Sequence, residues 1–161
     1  VVAALRIPEI AAGGVVDGRG LAAALALGAA GVQIGTRFAL TDESSADQRY
    51  KEAGVAATET DARLYLRRHM PTRALLNPYV LRAIEAEAQG AKPTELGAIR
   101  GSGRARQGIF EGDEIEGELE IGQGTGRISS ILPAAEVVAG IVAEYAETVA
   151  ALPGRSVGAA T

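Results

Sequence analysis

Hydrophobic positions along the chain switch between a strand-like and a helix-like spacing, and the switches predict its first elements. Ile7-Pro8-Glu9-Ile10-Ala11-Ala12 is a short, mostly apolar run with proline near its start, where a missing N–H harms a strand ladder least. Gly13-Gly14 ends the run. Asp17 then stands where a helix N-cap is expected, and Leu21, Ala24, Leu25 and Gly28 recur at i, i+3, i+4 and i+7, one helical face. Val32-Gln33-Ile34 follows as a second strand, closed by Gly35-Thr36. Strand, glycine turn, helix, strand and glycine turn together span about 30 residues, the size of a βαβ crossover.

Farther on the pattern is less regular. Residues 41–60 are polar and expected to be partly helical. Pro78 to Gln89 predicts a helix with proline in its first turn, Leu81, Ile84 and Ala88 on one face, and Gly90 as its stop. Ala91 to Gly108, rich in Gly, Arg and Ser, reads as a loop or lid. Pro133 opens a last helix whose Val138, Ile141, Val142, Tyr145 and Val149 form an apolar stripe. The tail from Pro153 to Thr161 is expected to fray. Four segments result: 1–40 with two strands and their turns, 41–110 as a helical or loop insertion, 111–152 with an acidic stretch and the last helix, and 153–161 as tail.

Composition narrows the fold class. Hydrophobic residues make up 47% of the chain but aromatics only 4%, so the core is built of small aliphatics, which suit helices packed on a parallel sheet. An α/β fold is expected. The chain has 161 residues, whereas a complete eight-fold α/β barrel takes about 250. It opens without Met at Val1-Val2-Ala3-Ala4-Leu5, and is expected to be a C-terminal piece of a longer protein. A net charge of −4 argues against a nucleic-acid partner, because the phosphate backbone rewards a basic face. There is no cysteine, hence no disulfide framework, and no apolar run of ~18–20 residues suited to a membrane span. A cytoplasmic protein is the expectation.

The glycine turns are the first candidate for chemistry. Each follows a parallel strand, so both sit at the strands' carboxyl ends, where amides bare of side chains can close on phosphate oxygens. Alternatively, the glycines only make tight turns. Three other features carry less. The acidic run Glu111, Asp113, Glu114, Glu116, Glu118 and Glu120 lacks metal-loop spacing and reads as a solvated face alternating with Ile115, Leu119 and Ile121. Gly101-Ser102-Gly103-Arg104 lacks a dinucleotide-binding spacing. His69, the only histidine, lies among Arg63, Arg67, Arg68 and Arg73 and reads as a surface or packing residue. Those arginines have two readings, a solvated face or a contact for a phosphate or carrier protein.

The segment from Ile7 to Ala29 resembles the seventh-strand region of the nitronate monooxygenase (2-nitropropane dioxygenase) and flavin-type enoyl-ACP reductase family. Gly31-Val32-Gln33-Ile34-Gly35-Thr36-Arg37-Phe38 resembles its eighth-strand motif. Tyr50-Lys51-Glu52, Arg73-Ala74-Leu75-Leu76-Asn77, Glu111-Gly112-Asp113 and Gly122-Gln123 resemble weaker landmarks, so the likeness runs from about residue 5 to 150. It implies the last two strands of a (β/α)8 TIM barrel with FMN at its mouth. Backbone amides of Gly13, Gly14, Gly35 and Thr36 would hold the FMN phosphate beside Ala12, with the Thr36 hydroxyl as a further donor. Gly122 and Gln123 would approach the cofactor. The resemblance implies oxidation of alkyl nitronates with O2 or, in the reductase branch, NAD(P)H-dependent reduction of an enoyl thioester. It places the catalytic residues upstream of Val1, and no metal is implied. As partners it implies a second copy or the missing N-terminal barrel part, since two strands alone cannot close a barrel. An inactive fragment is the alternative from another class.

Overall fold

The computed structural model describes residue 4 and residues 6–154; the tail expected to fray lies largely outside them. The first unit forms as the periodicity predicts. Strand β1 (Ile10–Ala12), shorter than the apolar run, pairs in parallel with β2 (Gly31–Gln33), in a register that sets Ala12 opposite Gln33. Between them runs α1 (Gly18–Ala26), whose N-cap Asp17 accepts the Gly20 N–H through Oδ1 at 2.8 Å. Gly28 lies beyond the helix at φ +98°, a conformation open to glycine, so it ends the predicted face rather than extending it.

Helix α1 packs against the last helix of the chain. Gly18 is the point of closest approach: a Cβ there would run into the backbone of Ile141, Glu144 and Tyr145. The Glu144 carboxylate accepts the Gly18 N–H at 2.8 Å and pairs with Arg19 at 3.0 Å.

Between these ends lie α2 (Thr36–Ala39), α3 (Gln48–Ala56), an antiparallel hairpin of β3 (Ala62–Tyr65) and β4 (Thr72–Leu75), and α4 (Pro78–Ala88). They are followed by α5 (Pro93–Arg100), α6 (Arg104–Ile109), a 3-10 turn at Thr125–Arg127 and the long α7 (Ala134–Ala151). Two apolar clusters hold this together. One joins Val16, Leu40, Tyr50, Leu75, Leu119, Ile121 and Ile128; the other joins Tyr65, Leu66, Ala74, Tyr79, Val80, Ala83 and Leu96.

Four expectations are corrected. The stretch from Ala91 to Gly108 is not a loop or lid but carries α5 and α6. Pro93 opens the first of these, the Glu95 carboxylate accepts the Lys92 N–H at 2.7 Å, and Leu96 is fully buried, so packing outweighs a loop-like composition. Helix α4 buries Tyr79, Val80 and Ala83, which leaves Leu81 at 53% exposure and Ala88 exposed. In α7, Val137 is buried while Val138, Val142 and Val149 face outward, because the approach of Gly18 turns the neighbouring stripe inward. Finally, Glu118 is no solvated acid: it is 1% exposed, enclosed by Tyr65 and Arg100.

Candidate functional site

Because β1 and β2 are parallel and in register, their carboxyl ends lie side by side, and so do the turns that follow them. Gly13 and Gly14 sit at φ +91° and +77°, which few other residues adopt, and this carries the chain sharply off β1. Gly35 is the N-cap of the four-residue α2 and brings no side-chain cap. A third strand-like stretch completes the arrangement. Leu75 N–H donates to Leu119 C=O at 3.0 Å and Ile121 N–H to Arg73 C=O at 3.1 Å, so residues 119–121 run antiparallel to β4. That pairing draws the end of the acidic run, Glu118 and Glu120, against the fold and delivers Gly122-Gln123 to the glycine turns.

The result is a cavity of about 280 Å³ lined by Ala12, Gly13, Gly14, Gly35, Thr36 and Gly122, with Val15, Val16, Gln33 and Gly124. Six of the seven cofactor-binding residues expected from the sequence therefore share one space. The seventh, Gln123, lies over Gly14, its Nε2 2.9 Å from where a Cβ on that glycine would stand. Thr36 Oγ1 accepts the Gly122 N–H at 2.9 Å, tying the second turn to the third segment. A hydroxyl that accepts one bond still has its own proton to donate.

Sequence reasoning assigned no role to Arg37, Val16 or Gly124. Arg37 is 7% exposed, and its Nη1 donates to Ser130 C=O at 2.9 Å and Leu40 C=O at 3.3 Å. Burial pulls its guanidinium below the usual arginine value. No carboxylate lies within 4.0 Å of it among the described residues, which leaves a fixed cation one residue beyond Thr36. Its place inside the Gly-Thr-Arg motif was the signal available. Gly124 is confined by Val16, whose Cγ1 would stand 2.7 Å from an added Cβ.

A second cavity of about 460 Å³ shares Gly35, Thr36 and Gly122 with the first and adds Tyr50, Arg73 and Glu120. The Tyr50 hydroxyl donates to Glu120 C=O at 2.7 Å; burial, and then the charge of Glu120, push its phenol up to about 12. Burial first and the neighbouring Glu118 second raise the Glu120 carboxyl above the ordinary glutamate value. The folded protein thus holds this proton more tightly than the unfolded chain does. The resulting stabilisation is full below the unfolded value and is lost as pH rises through the raised, folded one. Glu120→Gln, neutral at every pH, should melt higher than wild type at pH 7, and the gap should close toward pH 4. Thermal unfolding at the two pH values checks this, and an equal gap at both would contradict it.

His69 takes no part in either cavity: it is exposed, with its ring packed beside Gly97. The Glu9 carboxylate has one buried oxygen, Oε1, with no hydrogen-bond partner among the described residues. Among the described residues, no group of three His, Asp or Glu is placed to hold a metal ion and no helix is long and apolar enough to cross a membrane.

The paired turns open onto one small pocket at the carboxyl ends of two parallel strands, and comparison with known proteins gives the family. The chain belongs to the nitronate monooxygenase family, whose profile matches residues 1–144. It is 34% identical over 150 residues to a nitronate monooxygenase of Paraburkholderia phytofirmans, covering 89% of this chain and 39% of that protein. Its backbone is similar to that of FabK from Thermotoga maritima, with TM-score 0.89 and 38% identity over 96% of this chain and 49% of that one. A nitroalkane oxidase from Streptomyces ansochromogenes gives TM-score 0.73 and 35% identity, covering 92% and 42%. The chain thus spans about half or less of the length of these proteins. Its fold is the C-terminal part of a TIM barrel, and its family is one of oxidoreductases that are flavin-dependent in general.

Proposed function

We propose that this chain carries the FMN phosphate-binding end of an oxidoreductase that oxidises alkyl nitronates with O2. One observation carries the reading: two glycine turns on adjacent parallel strands, and the Gly122 turn, open onto one small cavity. The donors suit a phosphate dianion. An added Cβ at Gly13 or Gly35 would meet nothing within 4 Å, so the space beside those amides is open to a ligand. Amides of Gly13, Gly14, Gly35 and Thr36 would hold the phosphate, and the Thr36 hydroxyl would donate its remaining proton. Ala12, Gly122 and Gln123 would shape the rim. When bound, FMN supplies the electron-transfer chemistry that no side chain here can perform. The chain's own part is to hold and orient the ring system and to exclude water from it.

The similarity to FabK at TM-score 0.89 favours a second reading, NAD(P)H-dependent reduction of an enoyl thioester. In either case a second copy, or a chain supplying the remaining barrel strands, would complete the site. Protein incubated with FMN and desalted should stay yellow. Oxygen uptake with propyl-2-nitronate would then support the first reading, and NADPH consumption with a crotonyl thioester the second. A colourless sample that takes up no FMN would leave an inactive fragment.

A further inference from the structure

A further cavity lies away from the glycine turns, between the β3–β4 hairpin and α4. It has a volume of about 480 Å³. Its floor includes Leu64, Leu81 and Ile84, and its rim is Arg63, Arg67 and Arg68. The apolar face predicted for α4 lines this groove, with Ile84 also packed against the core cluster of Tyr65 and Tyr79. Leu81 is left 53% exposed and Leu64 38% exposed, a standing cost in water that a ligand would relieve.

The rim arginines form no ion pair among the described residues. Acidic residues outnumber Lys and Arg by 20 to 16 in the chain, and seven arginines have a carboxylate within 4.0 Å. Arg63, Arg67 and Arg68 have none among the described residues. The one acid in the lining, Glu87, uses Oε1 to accept the Arg68 backbone N–H at 3.1 Å, and Arg63 Nε donates to Thr60 C=O at 3.0 Å. Three cations beside bare leucines complement a molecule with an anionic head and an aliphatic body.

We propose that this groove binds such an anionic amphiphile, its chain over Leu64, Leu81 and Ile84 and its phosphate or carboxylate head on Arg67 and Arg68. The volume suits a small ligand, for which ~300–1,000 Å³ is usual. A partner helix of ~10–12 Å diameter fills roughly 400–600 Å³ per turn, so the groove would seat about one turn of it. The inference does not rest on the flavin reading.

Calorimetric titration of the full chain with octyl phosphate, decanoate, inorganic phosphate and octyltrimethylammonium, below their micelle concentrations, tests it. At least one of the two amphiphilic anions should bind, with inorganic phosphate at least tenfold weaker and the cation silent. Arg67→Gln/Arg68→Gln should weaken that binding tenfold or more without moving the melting temperature, and Leu81→Gln should weaken it while sparing inorganic phosphate. Gly35→Val should leave it unchanged; loss there would mean the ligand sits at the glycine turns, and the proposal fails. It fails equally if neither amphiphilic anion binds, if cation and anion bind alike, or if the double arginine variant binds as wild type.

Discussion

If the glycine turns hold FMN as proposed, Gly35→Val should abolish its binding and change almost nothing else. Gly35 has φ −95° and ψ −67°, in the right-handed region that valine can adopt, and an added Cβ meets no atom within 4 Å. The fold should therefore tolerate the side chain. Yet the same residue lines both the 280 Å³ and the 460 Å³ cavities, so the isopropyl group would stand in the space proposed for the phosphate. Gly14 could not give so clean a result: its φ of +77° and its closeness to Gln123 mean that any side chain would disturb the turn itself. We expect FMN affinity to fall ~100-fold or more, about 2.7 kcal/mol, with the apoprotein melting temperature unchanged. Fluorescence-quench titration with FMN reads the first quantity and thermal unfolding the second. Retention of FMN at the wild-type level would remove the phosphate-site assignment.

That residue could be chosen from the sequence because glycines at strand ends state a physical requirement directly. The backbone must turn sharply, or be approached closely, and either need shows in the residue type. The βαβ spacing then puts both turns at the same end of the two parallel strands. Other parts were hidden for equally physical reasons. Helix α4 is apolar on two faces, Tyr79-Val80-Ala83 and Leu81-Ile84, so periodicity alone does not say which one meets the core. The alanine-rich α7 offers as little contrast; its contact face is decided by Gly18 on another helix, some 120 residues away. Helices α5 and α6 hid behind Gly101 and Gly103, which punctuate them with positive φ without dissolving them into a loop. The hairpin was missed because β3 runs Ala-Arg-Leu-Tyr with both middle residues exposed, a pattern without alternation.

Glu118 shows best what sequence cannot convey, and its removal should give the largest loss of stability. Among clustered acids it reads as solvated, yet it is the acceptor in a buried network drawn from four elements. The Tyr65 hydroxyl donates to its Oε1, and Arg100 Nη2 approaches Oε2 at 3.5 Å. Tyr79 meets Tyr65 edge-on at 6.1 Å, and Arg104 lies 4.3 Å over the Tyr79 ring. Burial, and next the bond to Glu118, push the Tyr65 phenol far above its ordinary value, so it acts only as a neutral donor. Glu118→Ala would strand that fully buried hydroxyl with no acceptor nearer than Tyr79 at 3.5 Å. It would also leave Arg100 uncompensated, when its Nε is already buried without a partner. An unsatisfied buried group and the void left by the side chain together cost about 2–4 kcal/mol, roughly 5–15 °C in melting temperature for a chain of this length. Glu118→Gln, which keeps an acceptor and the volume, should lose less than half as much. A double-mutant cycle with Tyr65→Phe should show coupling of about 1 kcal/mol or more, since the two groups share one bond. Wild-type melting in Glu118→Ala would overturn this account. The consequence also reaches the candidate site: Leu119 and Ile121, beside Glu118, tether Gly122 to the hairpin. Glu118→Ala should therefore weaken FMN binding too, but less than Gly35→Val, because it loosens one wall of the pocket without filling it.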